Sequence, residues 1–326
     1  MKPSLGAAHP KNAANSIAGT HVIFVLLLVV GYLFLYVPYS CAQAGNETTF
    51  AMPGDAVLAL YDAAKAGDMA AVSAIFGKEG DELIHTGDEV SDRNIVQNFL
   101  RRYDEMHRVV VEPDGTVTLY IGADNWPFPI SIVKNSSGAW YFDAESGKQE
   151  ILYRRVGRNE NDAIEICHAL AEAQVEYKSA LRSGESSKHY ALKFVSDEGK
   201  ENGLYWKSSD GEPSSPIGPL IADATSEGYA VKQGQPTPFH GYYYRILTTQ
   251  GPSAKGGAKD YLVDGQLVRG FAFVAYPAQY RNSGVMTFIV NQDGTVYEKD
   301  LGSDTESAAA SMTEFNPDKS WNPVDQ

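Results

Sequence analysis

Five histidines lie beyond the N-terminal apolar segment: His85, His107, His168, His189 and His240. They are the first residues to weigh for metal or acid–base chemistry. A transition-metal site needs ligands at a spacing such as His-Glu-x-x-His or Cys-x-x-Cys, and neither occurs. Glu165 and His168 stand one helical turn apart, as in di-iron bundles, but those need a second copy on a facing helix. The polar flank of a packed helix is the plainer reading. Cys167 falls on an apolar stripe, where a cysteine acts as a small hydrophobe; a nucleophile would need a base and an electropositive setting. No Gly-x-Ser-x-Gly elbow is present to support a serine hydrolase.

Two further motifs resolve into turns. Asn291-x-Asp293-Gly294 resembles part of a calcium loop but lacks the downstream bidentate Glu and lies between two strand-like runs, so a hairpin turn is expected. The loop GPSAKGGA carries glycines and a lysine but does not lead into a helix, whose N-terminus a phosphate cradle requires. No catalytic residue, cofactor or metal is therefore expected. What remains is aromatic. Phe239, Tyr242, Tyr243, Tyr244, Tyr261, Phe271, Phe273, Tyr276 and Tyr280 crowd one stretch. Alternation puts Tyr242 and Tyr244 on one face of a strand and Tyr243 on the other. Tyr242, Tyr244, Tyr261, Tyr276 and Tyr280 form the candidate binding face, suited to a polymer or a protein partner; the competing role is to cover the core and its rim. Arg154, Arg155, Arg158 and Asn161 form a polar cluster whose plainest role is a brace.

These residues must be positioned by a chain of 326 residues, enough for two domains. A net charge of −14 without any basic run disfavours nucleic acid, which demands clustered Lys and Arg. Val22 to Val37 is an apolar run without a charge, preceded by Lys2 and Lys11 and followed by Pro38 and Ala42-Gln43-Ala44. This is the pattern of a secretory signal, with residues 1–44 as signal peptide. An uncleaved anchor is the rival, although the run falls short of the ~20 residues that span a bilayer. A lipoprotein through Cys41 would need a better lipobox than Pro38-Tyr39-Ser40. With Cys41 at the edge of the signal, Cys167 has no disulfide partner in the mature chain.

Period and punctuation then give the elements. Asp55 to Phe76 reads as two helices, with stripes Val57, Leu58, Tyr61, Ala64 and Met69, Val72, Ile75, Phe76, separated by Gly67-Asp68. Ser91 to Met106 is a third, with Ile95, Phe99, Leu100 and Tyr103. Strands follow at Val109–Val111, Val117–Ile121, Ile130–Val133, Ala139–Phe142 and Ile151–Tyr153. After the polar boundary Arg158 to Asp162, a fourth helix runs from Ala163 to Leu181 along Ile164, Cys167, Leu170, Ala171, Val175 and Leu181. Gly203 to Pro219 is loop-rich. Tyr242–Leu247, Tyr261–Val263, Leu267–Val268, Phe271–Tyr276, Val285–Val290 and Val296–Tyr297 make an antiparallel meander with Asp-Gly turns.

The segments GYYYRILT, Gln250-Gly251-Pro252, DYLVDGQL, GFAFVAYPAQY and GVMTFIVNQDGTVYEKDLG resemble the signature of a family of exported bacterial proteins, domain of unknown function 2950. The resemblance covers Ala51 to Gly302. It implies a fold and a compartment, but no activity. Helices followed by a curled antiparallel sheet make the first half similar to the cone-shaped nuclear transport factor two-like folds. The second half, with Ala173-Gln174 and Tyr177 on its helix, is similar to type IV pilin and pseudopilin globular heads. No prepilin cleavage motif accompanies it, so pilus assembly is not implied.

The expected protein is α+β in two domains, a cone-like one over 51–156 and a helix plus meander over 157–302, with 303–326 a polar, frayed tail. Its expected place is the periplasm or cell envelope, as a non-catalytic module for an envelope protein or polymer partner. Membrane attachment would come only through an uncleaved Val22–Val37 segment. The alternative is a hydrolase- or isomerase-type enzyme with a pocket in the first domain. Cleavage after Ala44 makes Gly45 the first residue of the mature protein, which N-terminal sequencing of the envelope fraction checks. An intact Met1 with membrane retention would select the anchor.

Overall fold

The computed structural model describes residues 48–182, 185–208, 214–230 and 236–324. The segment expected to be a signal, with Cys41, lies outside them, as does part of the Gly203 to Pro219 loop. Among the described residues no helix is long and apolar enough to cross a membrane.

Four helices come first: α1 (Pro53–Ala66), α2 (Met69–Phe76), the single-turn α3 (Gly80–Ile84) and α4 (Glu89–Glu105). Asp68 caps α2 by accepting from the Ala71 amide at 2.9 Å, the local bond that makes Gly67-Asp68 a helix break. A five-stranded antiparallel sheet follows: β1 (His107–Val111), β2 (Val117–Ile121), β3 (Trp126–Pro127), β4 (Ile132–Lys134) and β5 (Trp140–Phe142). The order is β1-β2-β4-β5, with β3 on β2. Val117, Leu119 and Ile121 alternate inward and meet Val57, Leu60, Val72, Ile75 and Phe76 in one hydrophobic cluster. Leu58, expected on the stripe of α1, is 53% exposed, and the buried face is instead Ala56, Val57, Leu60 and Ala64.

The expected strand Ile151–Tyr153 and the boundary Arg158 to Asp162 are both helical. They lie in α5, a 36-residue helix over Ala144–Ser179 that also spans residues 156 and 157. Asp143 starts it, accepting from the Ser146 amide at 3.2 Å. The polar residues read as a break continue the helix because Asn159, Glu160 and Asp162 all find tertiary partners. Tertiary bonding overrides the local capping signal. Ala144 and Ile151 pack with the first cluster, while Ala163, Cys167, Leu170 and Tyr177 belong to a second. Val175 and Leu181, expected on the apolar stripe, are exposed; Ile166, Ala173 and Gln174 are buried instead.

A short helix, α6 (Gly218–Ser226), precedes the second sheet. That sheet holds β6 (Tyr242–Leu247), β11 (Ala272–Pro277), β12 (Met286–Asn291), β13 (Val296–Asp300) and β15 (Asn322–Pro323), in the antiparallel order β15-β13-β12-β11-β6. Between β6 and β11 run β7 (Thr249–Gln250), β8 (Lys259–Asp260) and the ribbon β9 (Leu262–Val263) with β10 (Gln266–Leu267). The near-continuous apolar run of β11 is buried along its whole length, because α5 packs against the sheet from one side and α7 (Thr305–Ser311) from the other. The fold class is thus α+β, as expected.

The tail departs from its expected frayed state. Arg245 of β6 donates to the carbonyls of Ala309, Ala310 and Met312, satisfying groups left open at the end of α7. Phe315 and Trp321 are buried, β14 (Glu314–Phe315) pairs in parallel with β7, and β15 extends the main sheet. Two aromatic anchors and one guanidinium hold a segment that is polar by composition.

The hairpin between β12 and β13 forms with Val290 opposite Val296, and the Gly294 amide donates to the Asn291 carbonyl at 3.0 Å. Gly294 has φ +79°, and no atom lies within 4 Å of the place a Cβ would occupy, so backbone strain alone sets the cost of a side chain there. An L-residue in this region costs roughly 1–2 kcal/mol. A one-residue slip would move Phe288 and Val290 to the opposite face, already packed around Thr287 and Ile289, which blocks that escape. Gly294→Val should therefore lower the melting temperature, and Gly294→Asn should lower it less; equal losses, or none, in thermal denaturation would contradict this turn.

Candidate functional site

A pocket of about 220 Å³ in the second half has room for a ligand. Its floor is Ile166 and Leu170, which 3.6-residue spacing puts on one face of α5. Ile217, Leu220, Ile221 and Ala224, from α6 and its N-cap, make the opposite wall. Phe194, Phe239 and Pro238 close the sides, and Tyr229 and Tyr244 complete the lining. Among the described residues no charged side chain is part of the lining.

The wall is held in place by polar bonds behind it. Asp88 is almost fully buried and its carboxylate fills four positions. Oδ1 accepts from the Val90 and Ser91 amides at 3.1 Å each, capping α4. Oδ2 accepts from the Tyr229 hydroxyl at 2.8 Å and the Gly241 amide at 3.0 Å. A carboxylate has about four lone-pair sites, so Asp88 is saturated. Burial, then the neighbouring Asp88 charge, pushes the Tyr229 hydroxyl far above the usual tyrosine value, so it remains a donor.

His240 lies next to this bond in the turn Phe239 to Tyr242, where the Phe239 amide donates to the Tyr242 carbonyl at 2.8 Å. His240 has φ +50° and Gly241 φ +76°, a pair of left-handed residues that closes a hairpin-like turn. Gly241 is required twice over, since a Cβ would stand 2.5 Å from Asn159 Nδ2. A histidine in that backbone region is uncommon. Here it carries a ring bridging Asp162 Oδ2 of α5 from Nδ1 and Glu227 Oε2 at the end of α6 from Nε2, each at 2.8 Å. The two carboxylates sit at opposite nitrogens, an arrangement that ties two helices together and leaves no free nitrogen for proton transfer. Among the described residues no group of His, Cys, Asp or Glu is arranged to hold a metal.

The five tyrosines of the candidate face do not come together on the surface. Tyr242, Tyr261 and Tyr276 are buried: Tyr242 donates to the Met286 carbonyl at 2.9 Å and Tyr261 to Gln250 Oε1 at 2.8 Å. Tyr276 packs against Tyr243, with ring centroids 5.5 Å apart. Tyr280 is partly exposed in the β11–β12 loop and donates to Asp300 at 3.2 Å. Alternation assigns the faces correctly, but both faces of this sheet are covered. Tyr244 alone of the five lines the cavity. Its ring keeps some open surface there, while its hydroxyl is buried without a hydrogen-bond partner.

The cavity escapes a reading of the sequence because α6 does. Pro219 at the first turn with Leu220, Ile221 and Ala224 behind it is a recognisable short helix start, but the Gly/Pro/Ser density before it reads as loop. The cluster expected from Arg154, Arg155, Arg158 and Asn161 is realised by Arg155, joined by Asn159 and Glu160. Glu165 is exposed and His168 half-buried, a polar flank of α5.

With this geometry in hand, the comparisons place the chain in a family. A family described as "Protein of unknown function (DUF2950)" matches residues 47–324. The chain belongs to that family. No curated protein and no solved structure matches it.

Cys167, next to the cavity floor, is fully buried, and burial pushes its thiol up to about 12. A folded-state value this far above the ordinary ~8.5 leaves almost no thiolate between about pH 7 and 9. Maleimide labelling of the native protein should be slow throughout that range, and far slower than labelling of the same chain in urea. Fast native labelling would contradict the packing of α5.

Proposed function

We propose that this is an exported protein of the cell envelope whose second half holds a small molecule in the cavity between α5, α6 and β6, without transforming it. One observation carries the binding role: an apolar pocket of about 220 Å³, open to solvent beside the exposed Pro236 and Thr237, whose described lining is uncharged. Ligand sites are mostly apolar concavities with a few placed polar groups. The apolar, uncharged character of the described lining argues against acid–base work there, which needs an ionisable group within reach of the reacting atom. An enzyme working in the first half would need a pocket among residues 51–156, and this cavity draws its lining from Ile166 onward. Export rests on the sequence of residues 1–44, whose Lys2, apolar run and Ala42-Gln43-Ala44 follow the secretory pattern.

Ala224→Leu tests the role of the cavity, since it adds apolar volume to the wall without introducing charge. Native mass spectrometry of protein purified from the envelope fraction should show a bound small molecule on the parent chain and none on Ala224→Leu, with both folded by circular dichroism. A parent chain that carries no ligand and binds no small apolar probe would overturn the proposal.

A further inference from the structure

We infer that the free edge of β1 pairs with the same edge of a second copy of this chain, antiparallel and centred on Val110. This surface belongs to the first half and does not depend on the role of the pocket.

Backbone groups come first. The first sheet runs β1-β2-β4-β5, so β1 has a partner on one side. The Glu112 amide donates to the Thr116 carbonyl at 2.8 Å and the Gly122 amide to the Met106 carbonyl at 2.9 Å. Alternation then turns the amides and carbonyls of Arg108 and Val110 toward β2, and those of His107, Val109 and Val111 outward. Among the described residues these outward groups have no backbone partner. Soluble proteins blunt such edges with Lys, Pro, bulges or a covering element. β1 holds neither Lys nor Pro, pairs with β2 residue for residue, and is exposed at all but Val110.

The side chains then favour a second copy. Val109 stands opposite Leu119 and Val111 opposite Val117, so both lie on the core-facing side of the sheet. Leu119 and Val117 are buried, whereas Val109 is 39% and Val111 69% exposed, an apolar layer that stops uncovered at the edge. On the other face the Arg108 guanidinium lies over the Tyr120 ring at 4.8 Å, and the Tyr120 hydroxyl donates to Glu112 at 3.1 Å. A two-fold axis through Val110 sets Arg108 opposite Glu112 of the second copy, twice over, and Val109 opposite Val111. An axis through Val109 would use the same backbone groups but set Arg108 against Val110 and Glu112 against Met106. The strand is thus complementary to itself in charge and in apolar surface in one register. The chain's own N-terminus does not cover this edge. Phe50 bridges Trp140 of β5, at the far side of the sheet, and cleavage after Ala44 leaves residues 45–47 ahead of the described chain. Those residues reach roughly 10 Å, against about 19 Å for the four strand spacings to the free side of β1.

Paired this way, the two sheets become one through about four ladder hydrogen bonds. So short an edge buries little area, so the mature chain should dimerise reversibly, with a Kd on the order of micromolar by sedimentation equilibrium. Val109→Pro removes an outward amide without touching the bonds to β2, and should abolish association with the fold unchanged by circular dichroism. Arg108→Glu should weaken association about tenfold, and the double variant Arg108→Glu/Glu112→Arg should restore it to within about threefold. The register has its own readout. Val110 meets itself at a non-hydrogen-bonded position, with Cα atoms about 4.5 Å apart, within disulfide reach. Val110→Cys should therefore cross-link rapidly under a mild oxidant. Thr118→Cys, three strand spacings from its copy at about 14 Å, should not; the native Cys167 is buried and takes no part. A parent chain that stays monomeric up to about 1 mM would overturn the proposal. So would a dimer that survives Val109→Pro, or Val110→Cys cross-linking no faster than Thr118→Cys.

Discussion

The structure depends on a strip of buried polar side chains along the middle of α5. Arg155 donates to Asn282 Oδ1 and to the carbonyls of Glu82 and Leu83, the latter at the end of α3. Asn282 in turn donates to the His85 carbonyl at 2.8 Å. One turn further on, Asn159 donates to the Ser283 carbonyl at 2.8 Å, and Glu160 accepts from the Val285 and Met286 amides at 2.9 and 3.0 Å. The loop between β11 and β12 closes on itself through Arg281, Asn282 and Ser283, but the Ser283 carbonyl and the Val285 and Met286 amides have to be satisfied elsewhere. Here α5 satisfies them. Each orphan left by removing a partner would cost about 1–3 kcal/mol, so a few bonds along this strip are comparable with the whole stability of a domain.

A second set of polar bonds holds the wall of the pocket a few residues away. The short α6 has little packing of its own to keep it off α5. Its C-terminal end is tied instead by Asn94 Nδ2 to the Glu227 carbonyl at 3.0 Å, by Glu227 to His240, and by Tyr229 to Asp88. Asp88 also caps α4, so the position of the wall is coupled to the start of a helix in the first half. The left-handed turn at His240 and Gly241 is the backbone cost of reaching both carboxylates at once.

Much of the fold was legible because it is local. Helix breaks at Gly67-Asp68 and turns at Asp114-Gly115, Asp264-Gly265 and Asn291 to Gly294 are written in residues that accept φ > 0 or cap an amide. Alternation gave β2 and period 3.6 gave the core face of α2. The failures are non-local. Nothing within Arg158 to Asp162 says that its polar groups will meet the β11–β12 loop more than a hundred residues on, so the local sequence reads as a helix start. The C-terminal tail reads as polar because its anchors, Phe315 and Trp321, are sparse, and the Arg245 that closes α7 lies far upstream.

The tyrosines show how far pattern alone carries a functional reading. Period 2 fixes the parity of Tyr242, Tyr243 and Tyr244 on β6, and parity held. It says nothing about what lies on either side of the sheet. With α5 over one face and α7 over the other, parity chose between two buried environments, and an exposed aromatic face had no surface to occupy. Tyr242 fits against Phe288, with ring centroids 5.8 Å apart, and its hydroxyl is satisfied. Tyr244, two residues along the same face, meets the gap where α6 stands away from α5, and its hydroxyl has nothing to bond. What each tyrosine meets is therefore set by the helix opposite, and α6 is the element whose loop-like flank concealed it from the sequence.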